Sequence, residues 1–225
     1  MKIKNIEQYR DRFSQKWNEL HNLNDPSYLY DPIKHIIQSE GKRFRPIIVQ
    51  FLGDIFDNDI EDTMNAAMGV ELLHNFTLVH DDIMDGSEKR RGRQTVHIKW
   101  TPAAAIITGD AMIGYAMKLL PNSKDNSRGD EIKSVFIKGL IEVCEGQGFD
   151  MEFNQKHDVS NDDYNVMIAK KTSAILQTAV LMGAHCAEAS DEELEALAAA
   201  HSNLIIHRDL KPKNDGINFV GYSNS

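Results

Sequence analysis

Three carboxylates end an apolar segment that reads GVELLHNFTLVHDDIMD. Asp81, Asp82 and Asp85 stand at positions i, i+1 and i+4, so on a helix Asp81 and Asp85 lie on one face, one turn apart. Carboxylates this close repel one another unless a cation neutralises them, and Mg²⁺ binds one or two carboxylates together with water and phosphate oxygens. The pattern indicates a magnesium site. A solvated acidic turn at a helix end would give the same pattern.

Two groups of basic residues flank this acidic segment. Lys42 and Arg45 lie before it in GKRFRP, and Arg90 and Arg91 lie after it in KRRGR. Arginine binds phosphate oxygens through charge-assisted, often bidentate hydrogen bonds, and free amides at a helix N-terminus can assist. An acidic segment between two basic groups therefore indicates a site for two diphosphate anions. Either basic group alone would also fit a solvated helix end.

Six segments, in this order, resemble those of the trans-type isoprenyl diphosphate synthases. They are GKRFRP, ELLHNFTLVHDDIMD, RRG, ITGDAMI, EGQGFDMEF and KKTSAILQTA, and the similarity covers roughly residues 35 to 186. The resemblance implies an all-α fold, an isoprenoid-synthase-like bundle of mostly antiparallel helices around a central cavity. It places the aspartates at the mouth of that cavity and implies a homodimer.

The resemblance also implies a role for each matching residue. Asp81 and Asp85 match the magnesium ligands, with Asp82 supporting them. Arg90, Lys171 and Thr172 match residues at the allylic diphosphate, and Lys42, Arg45, His74 and Arg91 match the isopentenyl diphosphate site. Gln147 and Asp150 fall in a GQxxD helix that lines the cavity. Without the motif, His74 would be interpreted as a core or interface histidine.

The implied reaction joins isopentenyl diphosphate to an allylic diphosphate. Magnesium and cationic side chains neutralise the charge on the departing diphosphate, and the allylic carbon ionises inside a dry, apolar cavity. The double bond of isopentenyl diphosphate attacks the resulting carbocation, and a proton is then lost. By the same resemblance, bulk below the aspartates sets the product length. Phe76 is expected to form the floor of the cavity and Thr77 to leave room beside it, which predicts a short product of C15 to C20; Phe76 as ordinary core is the alternative.

Apolar residues at helical spacing must form the elements that hold these groups in place. Helices are predicted over residues 4–20, 28–38, 44–56, 60–84, 102–119, 129–155, 162–186 and 191–200, with few strand signals. Ser190 and Glu193 have the spacing of a capping box. Residues 1–200 are expected to form the helical domain, and residues 201–225 a divergent tail rich in turn-forming residues.

Composition narrows the possible partners and the compartment. The 225 residues are 41% hydrophobic, and the net charge of −9 argues against a nucleic-acid or anionic-membrane surface. No apolar run reaches the roughly 20 residues of a membrane span, so an integral membrane protein is not expected. Cys144 and Cys186 both lie in helix-like segments, which argues against a disulfide framework and favours the cytoplasm.

The tail departs from the family pattern. A second aspartate-rich motif would fall near residues 209–215, where the sequence reads DLKPKND, so the bundle is expected to be C-terminally incomplete.

The same stretch resembles a protein-kinase catalytic loop, through His207, Arg208, Asp209, Lys211 and Asn214. Other kinase signatures are missing from the sequence. Three hypotheses follow: an active prenyltransferase, a weak or inactive partner subunit, and a kinase-like fragment.

Overall fold

The computed structural model describes residues 5–22, 24–55, 60–121, 128–156 and 158–199. Helices dominate these residues, beside one small antiparallel ribbon of two strands. The helices are α1 (Ile6–Asn18), α2 (Ser27–Ile37), α3 (Phe44–Ile55), α4 (Ile60–Met84), α5 (Val96–Lys99), α6 (Pro102–Leu119), α7 (Gly129–Phe153), α8 (Asn161–Ile168) and α9 (Ala174–Cys186). The strands are β1 (Lys89–Arg90) and β2 (Arg93–Gln94), and residues 191–199 are also helical.

Helix α4 forms the centre of the molecule. Its residues Ala66, Ala67, Val70 and Leu73 are fully buried, and it packs against α3, α6 and α9 on different sides. A helix that is apolar on most of its circumference is stable only when other helices cover it. The segment that ends in the aspartates is therefore held rigidly by the core.

Side chains at several helix starts satisfy free backbone amides. Asn5 and Gln8 form a reciprocal capping box at α1, and the Thr101 hydroxyl accepts from the amide of Ala104 at α6. The predicted capping box of Ser190 and Glu193 is confirmed: the Ser190 amide donates to the Glu193 carboxylate, and the Glu193 amide donates to the Ser190 hydroxyl. These caps stabilise the first turns of the helices that have them.

The predicted helices are largely confirmed, with four differences, one of which is the short helix α5 (Val96–Lys99), which was not predicted. The predicted helix 162–186 is interrupted by a π-helical turn, Ala169–Ser173, that separates α8 from α9. The first helix ends in a 3₁₀ turn, Glu19–Asn22, and the ribbon of β1 and β2 was not predicted.

Residues 201–225, including the kinase-like motif and the 209–215 position, lie outside the described residues, so the domain boundary at residue 200 stays a prediction. Of the described helices, none has both the length and the apolarity to cross a membrane.

Gly146 allows α7 to approach the π-helical turn closely. A β-carbon built at Gly146 would lie 2.7 Å from the α-carbon of Lys171, which is backbone and cannot rotate away. A β-carbon built at Gly148, two residues further along α7, would meet no atom within 4 Å. The missing side chain at Gly146 therefore sets the distance between α7 and the backbone of Lys171.

This contrast gives a matched pair of variants. We expect Gly146→Ala to lower the free energy of unfolding by about 1–3 kcal/mol, because the backbone of the π-helical turn must move. Gly148→Ala should raise it by roughly 0.5–1 kcal/mol, because alanine is the better helix former and meets no obstacle. Urea unfolding of both variants measures the difference. Equal effects at the two positions would contradict the close approach.

Candidate active site

A stripe of residues on one face of α4 and a matching stripe on one face of α7 line a cavity of about 250 Å³. Each stripe has the spacing i, i+1, i+4, i+5 and i+8, which keeps its residues on one face of a helix. The lining residues are Phe76, Thr77, His80, Asp81 and Met84 on α4, Val143, Cys144, Gln147, Gly148 and Met151 on α7, and Lys171 in the π-helical turn. One end of the cavity is therefore charged and the remaining wall is largely apolar.

Asp81 and Lys171 form the charged end of the cavity. Burial raises the pKa of Asp81, and the nearby positive charge of Lys171 opposes that rise. Lys171 donates a hydrogen bond of 2.5 Å to Asp150. Burial alone would lower the pKa of Lys171, but the bond to Asp150 and the charge of Asp81 outweigh it and raise that pKa. Lys171 is therefore a permanent cation.

The two candidate magnesium ligands differ in exposure. Asp81 is partly buried at the cavity, and Asp85 is exposed one turn further along the chain. Two carboxylates at this spacing fit Mg²⁺, which usually completes its octahedral shell with water and substrate phosphate oxygens. Over the described ranges, no three acidic, histidine or cysteine side chains converge on a common metal position. The chain can thus supply part of a metal shell at this end.

Asp82 faces a different environment from its neighbours. It is 5% exposed and accepts a hydrogen bond of 2.8 Å from Nε of Arg90, and Nη2 of Arg90 lies 2.8 Å from the same carboxylate oxygen in an ion pair. Its charge is therefore compensated by an arginine instead of by a cation shared with Asp81 and Asp85. In the same contact, Arg90 is held against the C-terminal end of α4.

The predicted isopentenyl diphosphate residues line one wide cleft of about 1120 Å³, beside the cavity helix α4. This cleft contains Lys42, Arg45, His74 and Arg91, so the two basic groups of the sequence meet in space. Nη1 of Arg45 lies 3.4 Å from Nε2 of His74. Burial, and then the charges of Arg45 and Arg91, lower the pKa of His74 to about 3, so its imidazole is neutral at pH 7.

The remaining predicted residues occupy less direct positions. Phe76, Thr77 and Gln147 line the cavity, as the resemblance implies. Asp150 pairs with Lys171, and Thr172 is exposed beside it on the π-helical turn. Asp150 is not among the residues that line this cavity, and the roles of Lys171 and Thr172 at the allylic diphosphate stay predictions.

The sequence interpretation missed a buried ion pair behind the basic cleft. Nη1 of Arg43 lies 2.5 Å from Oε1 of Glu71, and both side chains are less than one-tenth exposed. Arg43 also donates to the carbonyl of Ser39 at 2.8 Å, and its guanidinium lies 5.2 Å from the centre of the Trp17 ring. A glutamate among the apolar residues of α4 was the signal available, because buried carboxylates need a partner.

Comparison with known proteins identifies the family of the chain. Residues 26–206 match the polyprenyl synthetase family. The chain is 41% identical over 169 residues to the short chain isoprenyl diphosphate synthase of Methanocaldococcus jannaschii, covering 75% of this chain and 51% of that protein. The chain belongs to the polyprenyl synthetase family. It is also 37% identical over 182 residues to the geranylgeranyl diphosphate synthase of Methanosarcina mazei, covering 80% of this chain and 56% of that protein.

Solved structures confirm the all-α fold of this polyprenyl synthetase chain. A crystal structure of geranylgeranyl pyrophosphate synthase superposes with a TM-score of 0.84 at 38% identity, over 89% of this chain and 61% of that one. The geranylgeranyl pyrophosphate synthetase of Geoglobus acetivorans gives 0.81 at 31% identity, over 91% and 69%. The chain spans about half the length of the first two relatives.

The neutral state of His74 has a measurable consequence for stability. The folded pKa of about 3 is far below the ordinary value of 6.5, so between these values the unfolded chain binds a proton that the folded chain does not. Acidification below pH 6.5 therefore destabilises the native state. From pH 7 to pH 5 we expect the unfolding free energy of the wild type to fall by about 2 kcal/mol relative to His74→Gln.

Urea unfolding of both proteins at pH 7, 6 and 5 measures this difference. Carboxylates that protonate over the same range affect both proteins equally and cancel in the comparison. A constant difference between the two proteins would show that His74 is not held in its neutral form.

Proposed function

We propose that the protein is a magnesium-dependent prenyltransferase that condenses isopentenyl diphosphate with an allylic diphosphate to a C15–C20 product. The observation that carries the proposal is the apolar cavity with Asp81 and Lys171 at its charged end, next to a cleft lined by Lys42, Arg45 and Arg91. The relatives are named short chain isoprenyl and geranylgeranyl diphosphate synthases, which supports the same reaction and product range.

Charge neutralisation is the main task of the site. Bound magnesium, held by Asp81 and Asp85, would supply positive charge at the leaving diphosphate. Lys171 places its ammonium group at the same end of the cavity, where low exposure strengthens its attraction for phosphate oxygens. Lys42, Arg45 and Arg91 bind the diphosphate of the second substrate in the basic cleft.

The apolar wall protects the reactive carbon chain. Phe76 and Val143 offer only hydrocarbon to a carbocation, and they limit the water that could capture it. The double bond of isopentenyl diphosphate forms the new carbon–carbon bond, and a proton leaves the adduct. By resemblance to the family, the released diphosphate accepts this proton.

Phe76 is our candidate for the residue that limits product length. It lines the cavity about 7.5 Å along α4 from Asp81, at 1.5 Å per residue. Its ring packs against that of His80, with centroids 4.6 Å apart, which restricts its rotation. A growing prenyl chain that enters from the charged end would meet this ring.

A second candidate function is a partner subunit that binds diphosphates without turnover. The observation that favours it is the sequence DLKPKND at residues 209–215, where the family has its second aspartate-rich motif. The family match ends at residue 206, before the kinase-like residues. A kinase function gains no support from the comparisons.

A homodimer and a cytoplasmic location complete the proposal. The dimer is implied by the resemblance, and exposed Ile106 and Ile107 on α6 support it because they offer apolar surface to a second copy. The location is supported by Cys144 and Cys186, which are both free thiols.

Product analysis tests the proposed reaction. The purified protein is incubated with Mg²⁺, labelled isopentenyl diphosphate and dimethylallyl, geranyl or farnesyl diphosphate, and the chain length of the product is determined. We expect elongated product that ends at C15 to C20. Turnover should fall by at least about 100-fold in Asp81→Ala and in Asp85→Ala, because the leaving charge is no longer neutralised.

Alkylation of Cys144 separates binding from turnover in the same samples. Cys144 is exposed and lines the cavity, and burial and the charge of Asp81 raise the pKa of its thiol. Cys186 is buried, and burial raises its pKa to about 12, so Cys144 is the more accessible thiol. Farnesyl diphosphate with Mg²⁺ should slow the alkylation of Cys144. Protection without product would establish the partner subunit, and neither protection nor product would overturn both candidate functions.

The chain-length role of Phe76 can be tested in the same assay. Phe76→Ala opens the cavity beyond the aspartates, so the main product should lengthen by at least one five-carbon unit. Phe149→Ala is the matched control, because Phe149 is a half-buried phenylalanine on α7 that stacks on Phe153 instead of lining the cavity. An unchanged product distribution in Phe76→Ala, or the same shift in Phe149→Ala, would refute the assignment.

A further inference from the structure

Arg90 and Arg91 project from a very small structural element. Strands β1 and β2 pair through two residues each, and the connection contains Arg91 and Gly92 with positive φ angles of 51° and 77°. A two-stranded ribbon of this size is not stable in water without outside contacts. The positions of both arginines therefore depend on what holds the ribbon.

His35, near the C-terminal end of α2, makes three hydrogen bonds with strand β2. Its Nε2 lies 2.8 Å from the carbonyl oxygen of Gln94, and its Nδ1 lies 2.9 Å from Nη2 of Arg93. Nη1 of Arg93 donates to the carbonyl oxygen of His35 at 3.0 Å. One residue of α2 thus binds both residues of β2.

These partners determine the protonation state of the imidazole. A carbonyl oxygen can only accept a hydrogen bond, and a guanidinium can only donate one. Nε2 of His35 must therefore carry the hydrogen that faces Gln94, and Nδ1 must keep a free lone pair for Arg93. The complete set of bonds exists only when His35 is neutral.

The surroundings of the ring maintain this neutral form. Burial is the largest influence and lowers the pKa of His35, and the charges of Arg93 and Lys99 lower it further against the opposing bond to Gln94. Nζ of Lys99 lies 3.3 Å from Nδ1 of His35. The ring of Trp100 meets the imidazole edge to face, with centroids 5.3 Å apart.

We propose that neutral His35 is a positioning residue, which fixes the ribbon on α2 so that Arg90 and Arg91 stand ready for diphosphate. This inference rests on the proposed function of Arg91 and on the resemblance that places Arg90 at the allylic diphosphate. Asp82 holds Arg90 from the side of α4, and His35 holds β2 from the side of α2, so the ribbon is fixed at both strands. The alternative is that His35 contributes only packing to the native fold.

Two substitutions separate these explanations. His35→Asn keeps a short polar group that can accept from Arg93, whereas His35→Leu keeps bulk and removes every hydrogen bond of the ring. We expect His35→Leu to weaken inorganic diphosphate binding about tenfold in calorimetry and to raise the KM for both substrates similarly, with a smaller change in kcat. His35→Asn should restore most of the affinity.

The fluorescence of Trp100 reports the protonation of His35 without any need for turnover. A protonated imidazole in contact with an indole quenches its emission, so acidification should quench Trp100 with a midpoint below pH 6.5. The step should vanish in His35→Asn and in Trp100→Phe. Over the same pH range, the affinity for diphosphate should fall further in the wild type than in His35→Asn. The ionisation of diphosphate itself changes equally in both measurements and cancels in the comparison.

The outcomes are distinct. If the wild type binds diphosphate and His35→Leu binds it equally well, or if His35→Asn is as weak as His35→Leu, the positioning role is wrong while the proposed function stands. If the wild type binds no diphosphate, the proposed function fails and the role of His35 fails with it.

Discussion

The buried ion pair between Arg43 and Glu71 is the interaction on which the site depends. It joins the loop before α3 to the middle of α4, and Arg43 adopts a positive φ of 49° to reach it. Lys42 and Arg45 flank Arg43 and line the basic cleft, and Asp81 lies further along α4 at the cavity. Removal of one partner would leave an uncompensated buried charge, which typically costs about 3–5 kcal/mol.

Helix α4 separates a basic cleft on one side from the cavity that contains Asp81 on another side. The protein carries a net charge of −9, yet the side of α4 near His74 faces a concentration of arginine and lysine. The stripe of α4 that contains Asp81 faces a largely apolar cavity instead. Burial near these groups strengthens local attraction, so the overall acidic charge does not prevent anion binding. The two sides of α4 therefore present surfaces of different chemistry.

Local signals in the sequence predicted most of the helices and the candidate site. The periodicity of α4 and α6, and caps such as Ser190, depend on neighbours within a few residues. The ion pair of Arg43, the bond between Asp82 and Arg90, and the anchoring of β2 by His35 were not predicted. Each joins residues that are distant or differently oriented, and pairing of this kind leaves no periodic trace. The π-helical turn was missed because its residues keep an ordinary helical composition.

That turn has a consequence for how the second half of the bundle is aligned. A π-helical turn contains an extra residue relative to the regular α-helix, so the faces of α8 and α9 are offset by roughly 100° from those of one continuous helix. Lys171 lies within the offset, against the gap left by Gly146. A single-residue deletion between α8 and α9 would straighten the helix and rotate every following residue around its axis. The π-helical turn therefore determines how α9 is rotated about its own axis. The same turn contains Lys171, the cation of the cavity.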